Sequence, residues 1–216
     1  LRCCKLIVKH WIKKYNYVPD MIVIEGPEAG GHLGFKREEL EENTKPKLEN
    51  ITKEIVDYIK EVEKETEKDI PVIAAGGIWD STDIKKFLNL GASGVQMATR
   101  FVATNECDAS IEFKKAYVNA KTEDIKIINS PVGMPGRAIC NNFIKRVEKE
   151  KCKIYKCYNC IKTCNVIDSP YCITKALINS VNGKTDDGLI FCGSNVTKIK
   201  EILSVKDLMK ELVCEL

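Results

Sequence analysis

Apolar positions recur with two different periods along the 216-residue chain, and the alternation between them predicts its elements. Cys4 to Ile12 has helical spacing, predicting a first helix to about Tyr15 that Asn16 to Pro19 would break. Asp20 to Glu25 is a β-branched apolar run and predicts a buried strand. Charged residues dominate Lys36 to Lys68, where Ile51, Ile55, Ile59 and Val62 fall at helical spacing, predicting a solvated loop and then an outer helix. Pro71 to Ile78 reads as a strand ending in Gly76-Gly77, and Asp80-Ser81-Thr82-Asp83 starts a helix with Ile84, Phe87 and Leu88 inward. Gly91 to Phe101 repeats the arrangement, with Val95, Met97 and Ala98 alternating with Gln96 as a buried strand.

Further on, Asn105 to Ala120 is expected as a helix containing Phe113, Ala116 and Tyr117. Two prolines and two glycines make Ser130 to Ile139 a helix-breaking loop between units. Ile173 to Val181 is a predicted helix, Gly188 to Cys192 a short apolar segment and Gly193-Ser194-Asn195 an exposed turn. Ser204 to Leu216 reads as an amphipathic helix with Val205, Leu208, Met209 and Leu212 on one face.

Strands alternating with helices place the chain in the α/β class. The pattern divides it into βα units over residues 1–145 and a Cys-rich, mainly helical extension over residues 146–216 that packs on them. Only three strands carry βα connections, whereas a closed α/β barrel needs eight strands and about 250 residues. The chain also opens on Leu1 already in helical register, so it is expected to be the latter part of a larger protein. Unpaired sheet edges would then favour a homo-oligomer.

Composition narrows the function classes. A net charge of +3 with interspersed basic and acidic residues points to no nucleic-acid surface. No apolar run approaches the roughly 20 residues that cross a bilayer. Eleven cysteines without a signal peptide suggest a reducing compartment, so the expected location is cytoplasmic.

The candidate chemistry sits at predicted strand ends. Ala75-Gly76-Gly77 and Gln96-Met97-Ala98-Thr99 would present backbone N–H groups to one phosphate, because glycine lets an anion reach the main chain and the helix after Gly77 aims its positive end there. His32 lies beyond a strand among glycines, with Gly30 and Gly31 letting cofactor and substrate approach, and its imidazole exchanges protons near neutrality. If the loop at 130–139 lies over the site, Met134 would touch the cofactor and Arg137 would attract an anion. Cys157, Cys160, Cys164 and Cys172 are close enough in sequence for zinc or an iron–sulfur cluster, but lack the paired C-x2-C pattern. They are read instead as small apolar side chains of the interior, and no metal is expected.

Four motifs, E-G-P-E-A-G-G-H-L-G (25–34), P-V-I-A-A-G-G-I (71–78), G-A-S-G-V-Q-M-A-T-R-F (91–101) and S-P-V-G-M-P-G-R-A-I (130–139), together resemble the nitronate monooxygenases. The resemblance implies the C-terminal part of an FMN-binding (β/α)8 barrel. It further implies FMN as cofactor and oxidation of alkyl nitronates by dioxygen to a carbonyl compound and nitrite. It aligns His32 with the family's catalytic histidine and Gly76 and Gly77 with its phosphate-binding glycines. Ala98 stands where many members carry glycine. Related FMN-dependent enoyl-ACP reductases use NAD(P)H on the same barrel and share these motifs. The remaining reading is a non-catalytic fragment whose cysteines bind metal.

Overall fold

The computed structural model describes residues 1–40, 45–162, 164–214 and 216; of the charged loop expected from Lys36 onward, residues 41–44 lie outside the described residues. In chain order the helices and strands are α1 (Arg2–Tyr15), β1 (Ile22–Glu25), β2 (Gly31–His32), α2 (Leu48–Thr66), β3 (Val72–Ala75), α3 (Ser81–Asn89) and β4 (Gly94–Gln96). There follow α4 (Thr99–Val102), α5 (Ile111–Val118), β5 (Ile125–Asn129), β6 (Pro135–Ile139), α6 (Asn142–Val147), α7 (Ile173–Val181) and α8 (Val205–Val213). The chain divides into two compact units, each discontinuous in sequence. One comprises Leu1–Pro27, Leu40–Met97 and Met209–Leu216; the other comprises Glu28–Glu39 and Ala98–Leu208, running across the boundary at residue 145.

The first unit holds a parallel sheet of order β1-β3-β4, with Glu25 opposite Ala75 and Ala75 opposite Gln96. Helix α2 packs on β1 and β3 because Leu48, Ile55, Val56, Ile59 and Val62 form one apolar stripe, all buried. It stops where Glu67 turns left-handed (φ 54°) and returns its N–H to the Glu63 carbonyl at 2.8 Å. Helix α3 starts on Asp80, whose carboxylate accepts the Asp83 N–H at 3.0 Å.

Three expectations for this unit are corrected. In β1, Ile24 is buried but Val23 is 46% exposed, as is Met21 just before the strand at 57%, because an edge strand's alternate side chains point to the sheet's other face. Strand β4 is only three residues long and is the opposite edge, so Val95 and Met97 are half-buried rather than buried, and Ala98 beyond it is exposed. Ile84 and Phe87 of α3 are buried, whereas Leu88 lies one step further round the helix and is exposed.

The second unit holds an antiparallel sheet of order β2-β6-β5 that the sequence did not lead us to expect. The segment expected as a loop between units is half of a hairpin: Ile125 pairs with Ile139 and Asn129 with Pro135. Residues 130–134 are the turn, closed by the Ser130 N–H to the Met134 carbonyl at 3.1 Å. Pro135 is tolerated because it opens its strand. A core of Ile128, Ala138, Phe143, Ile144, Tyr171 and Leu189 joins the hairpin to α6 and α7.

Helix α5 begins at Ile111 rather than Asn105, because the Ser110 hydroxyl caps it by accepting the Phe113 N–H at 3.3 Å, while the Asn105 N–H goes to the Leu203 carbonyl. Helix α7 has the expected limits. In α8, Leu208 and Leu212 are buried as their i, i+4 spacing requires, but Met209 is exposed. Among the described residues no helix is long and apolar enough to cross a membrane.

Candidate functional site

In the first unit the parallel strands end side by side. The Gly26 N–H donates to the Ala75 carbonyl at 2.8 Å, and Ala75 lies opposite Gln96, so Gly26, Gly76 and Met97 leave the sheet together at its carboxyl edge. Gly76 and Gly77 have φ of 92° and 80°, a conformation in which side-chain-bearing residues are strained, and they carry the main chain over that edge without a side chain. The structure therefore brings Ala75, Gly76, Gly77, Gln96 and Met97 to one edge.

The start of α3 is capped by acids. The Asp80 carboxylate accepts the Asp83 N–H, and the Asp83 carboxylate reaches back to accept the N–H of Trp79, just before the cap, at 2.9 Å. Carboxylates thus sit at the start of this helix, and the glycine turn before it carries main chain without side chains.

In the second unit Gly30, Gly31, His32 and Thr99 gather around residues 191–193. His32 lies on β2 opposite Gly136 of β6, so it belongs to an antiparallel ladder rather than to the end of parallel strand β1. Its Nε2 is 2.7 Å from the hydroxyl of Ser130, itself buried in the hairpin turn. The Phe191 ring meets the imidazole edge-on, with centroids 5.0 Å apart. Burial lowers the His32 pKa, so the neutral imidazole is favoured.

Phe191 is itself fixed. The buried Tyr117 hydroxyl donates to its carbonyl, and Gly136 makes room for the ring, since a Cβ there would lie 2.9 Å from it. Burial pushes the Tyr117 hydroxyl far up, keeping it a neutral donor.

Gly30 and Thr99 hold the adjoining residues. A Cβ on Gly30 would meet the Cys192 carbonyl carbon at 2.5 Å, and the Thr99 hydroxyl accepts the Gly193 N–H at 3.0 Å. The Ser194 N–H donates to the Glu28 carbonyl at 3.1 Å. The turn expected as exposed is thus anchored, with Gly193 buried. Ala98 precedes this contact as the exposed N-cap of α4.

Arg137 is not a surface anion trap: it is 6% exposed and donates to the Ala29 carbonyl. Burial pushes the neighbouring Cys192 thiol up to about 12, against the opposing effect of Arg137, so it is inert. Met134 is 41% exposed. Sequence reasoning missed Ser130, Tyr117 and Phe191. The signal was faint, because an aromatic after Leu189-Ile190 reads simply as more core.

The hydrogen-bonded pair at His32 can exchange a proton, and the glycine edge can admit an anion. The family described as nitronate monooxygenase matches residues 4–215. A probable nitronate monooxygenase of Staphylococcus saprophyticus is 36% identical over 132 residues, covering 60% of this chain and 34% of the relative. Its Staphylococcus aureus (strain Newman) counterpart is 35% identical over 130 residues, with the same coverage.

The chain thus spans about a third of the length of these relatives. Among solved structures, FabK from Thermotoga maritima superposes with a TM-score of 0.66 at 25% identity, over 91% of this chain and 54% of that one. A nitroalkane oxidase from Streptomyces ansochromogenes gives 0.62 at 23%, over 91% and 51%, a likeness of fold. With its α/β fold shared with these structures and the match running almost from end to end, the chain belongs to the nitronate monooxygenase family.

Proposed function

We propose that the protein is an FMN-dependent oxidoreductase that oxidises alkyl nitronates with dioxygen to a carbonyl compound and nitrite. The observation that carries this reading is His32, held by Ser130 and Phe191 with its neutral form favoured. A neutral imidazole is the form that removes the acidic proton from the carbon beside a nitro group, giving the nitronate. Toward a preformed nitronate, His32 orients the anion through its ring N–H.

The Gly76-Gly77 edge fits the phosphate end of FMN, since two residues without side chains in left-handed conformation let the anion reach the main chain. Ala75, Gln96 and Met97 would border it. FMN supplies the electron transfer between nitronate and dioxygen; the protein supplies position and proton control.

The likeness to FabK favours one other reading, an NAD(P)H-dependent enoyl-ACP reductase. Anaerobic mixing separates the two. The proposal expects a nitronate to reduce the flavin much faster than NADH or NADPH does; rapid reduction by a nicotinamide alone would establish the reductase.

A further inference from the structure

Lys151 to Cys172, between α6 and α7, forms no helix or strand among its described residues. Its cysteines are not the interior side chains that the sequence suggested: Cys157 and Cys160 are exposed, and Cys164 and Cys172 half-buried. All four nevertheless line a single cavity of about 240 Å³.

Four further observations point to a ligand in that cavity. Among the described residues, Lys153 to Cys160 make no backbone–backbone hydrogen bond, so the segment's shape comes from something other than a ladder. Tyr171 lines the cavity and is 3% exposed, yet its hydroxyl has no partner among the described residues. A backbone donor already faces one sulfur: the Asn159 N–H reaches Cys157 Sγ at 3.4 Å, while the Cys157 thiol donates to Asn159 Oδ1 and the Cys164 thiol lies 3.3 Å from the Ser169 hydroxyl, which itself donates to the Asn165 carbonyl. Finally, Lys151, Lys153, Lys156 and Lys162 occur with no acid between Glu150 and Asp168, a setting suited to a negatively charged centre.

The kind of centre follows from the layout of its ligands. Zinc would draw its thiolates to about 2.3 Å from one ion. Among the described residues no three groups of the metal-ligating kinds are gathered around one point, so the choice between zinc and a cluster rests on the layout of the cysteines along the chain. A cluster is larger and takes thiolates distributed around a cavity. Three close cysteines and a fourth further along, here Cys157-x2-Cys160-x3-Cys164 and then Cys172, is the layout by which chains hold iron–sulfur clusters.

We propose that Cys157, Cys160, Cys164 and Cys172 ligate an iron–sulfur cluster of the [4Fe–4S] class. Each thiol exchanges its proton for a bond to iron, and a preassembled cluster supplies the iron and sulfide, so ligation itself oxidises nothing. The Tyr171 hydroxyl and the Asn159 N–H then have sulfur acceptors. This site is independent of the flavin reading.

The test is purification of the protein without oxygen, followed by assays of iron, zinc, acid-labile sulfide and flavin per chain. Expected are about four iron and four sulfide per chain, and an electron paramagnetic resonance signal on reduction by dithionite. Cys160→Ala and Cys164→Ala should each lose that iron, whereas Cys3→Ala, at an exposed thiol of the other unit, should keep it. Zinc at one per chain, iron without sulfide, or metal-free protein with all four thiols titratable would each overturn the proposal. So would full iron in Cys160→Ala. The wild-type assay decides the question even if a variant misfolds, and flavin content is scored separately.

Discussion

His32 Nε2 and Ser130 Oγ lie 2.7 Å apart although 98 residues separate them in sequence. The contact exists because β2 pairs with β6, and Ser130 opens the turn that leads into β6. Either atom can donate, so the pair can present Nε2 as acceptor or as donor according to the tautomer.

Replacing His32 by asparagine should lower kcat/KM for a neutral nitroalkane by about 10²- to 10⁴-fold, the usual contribution of a positioned base. The loss toward the preformed nitronate should be much smaller, because its proton is already gone. Steady-state kinetics with both forms of one substrate checks this; equal losses would show that His32 serves binding alone.

The lowered His32 pKa also sets a pH dependence. In the unfolded chain histidine takes a proton near pH 6.5, whereas in the folded protein it resists until the pH is lower. Its contribution to stability is therefore present above about pH 6.5 and lost as the pH falls toward the folded pKa. Denaturant melts should show the loss below pH 6.5, and the His32→Asn variant should lack that component.

Ser130→Ala removes the hydrogen bond to His32, worth about 1 kcal/mol, together with the longer contact by which Ser130 Oγ accepts the Val132 N–H at 3.4 Å. The expected effect is a fall on the order of fivefold in kcat/KM for the nitroalkane, with a displaced acid limb in the pH profile. An unchanged profile would mean that Ser130 only shapes its turn.

Gly193→Ala places a Cβ 2.9 Å from the Thr99 hydroxyl, and Gly30→Ala places one 2.5 Å from the Cys192 carbonyl carbon. A hydroxyl can rotate aside but a backbone carbon cannot. Gly193→Ala should cost about 1–3 kcal/mol, and Gly30→Ala should cost more, both read from urea midpoints.

Cys192 should resist alkylation in the folded protein at pH 8 while exposed Cys3 reacts, since burial holds the Cys192 thiol near 12. Mass spectrometry after brief iodoacetamide treatment reads the difference.

Much of the parallel unit was legible because its signals are local. The stripe of α2, the Asp80 cap and the paired glycines after β3 each lie within a few residues of what they determine. What lay hidden depends on pairing at a distance. Ser130-Pro131-Val132-Gly133 announces a turn, but nothing nearby says that Pro135 to Ile139 will become the middle strand of a sheet. His32 was visible as a histidine among glycines; its partners Ser130 and Phe191 come from segments whose apolar or turn-forming character is unremarkable alone. Burial in edge strands β1 and β4 was overestimated because β-branched runs look alike at the centre and at the rim of a sheet.

The most direct test of the account is nitrite release from an alkyl nitronate by the flavin-loaded protein in air, with no nicotinamide present. Nitrite and the matching carbonyl compound are expected in equal amounts, with dioxygen consumed. Absence of nitrite from flavin-loaded protein, with turnover appearing only when NADH or NADPH and an enoyl substrate are supplied, would contradict it.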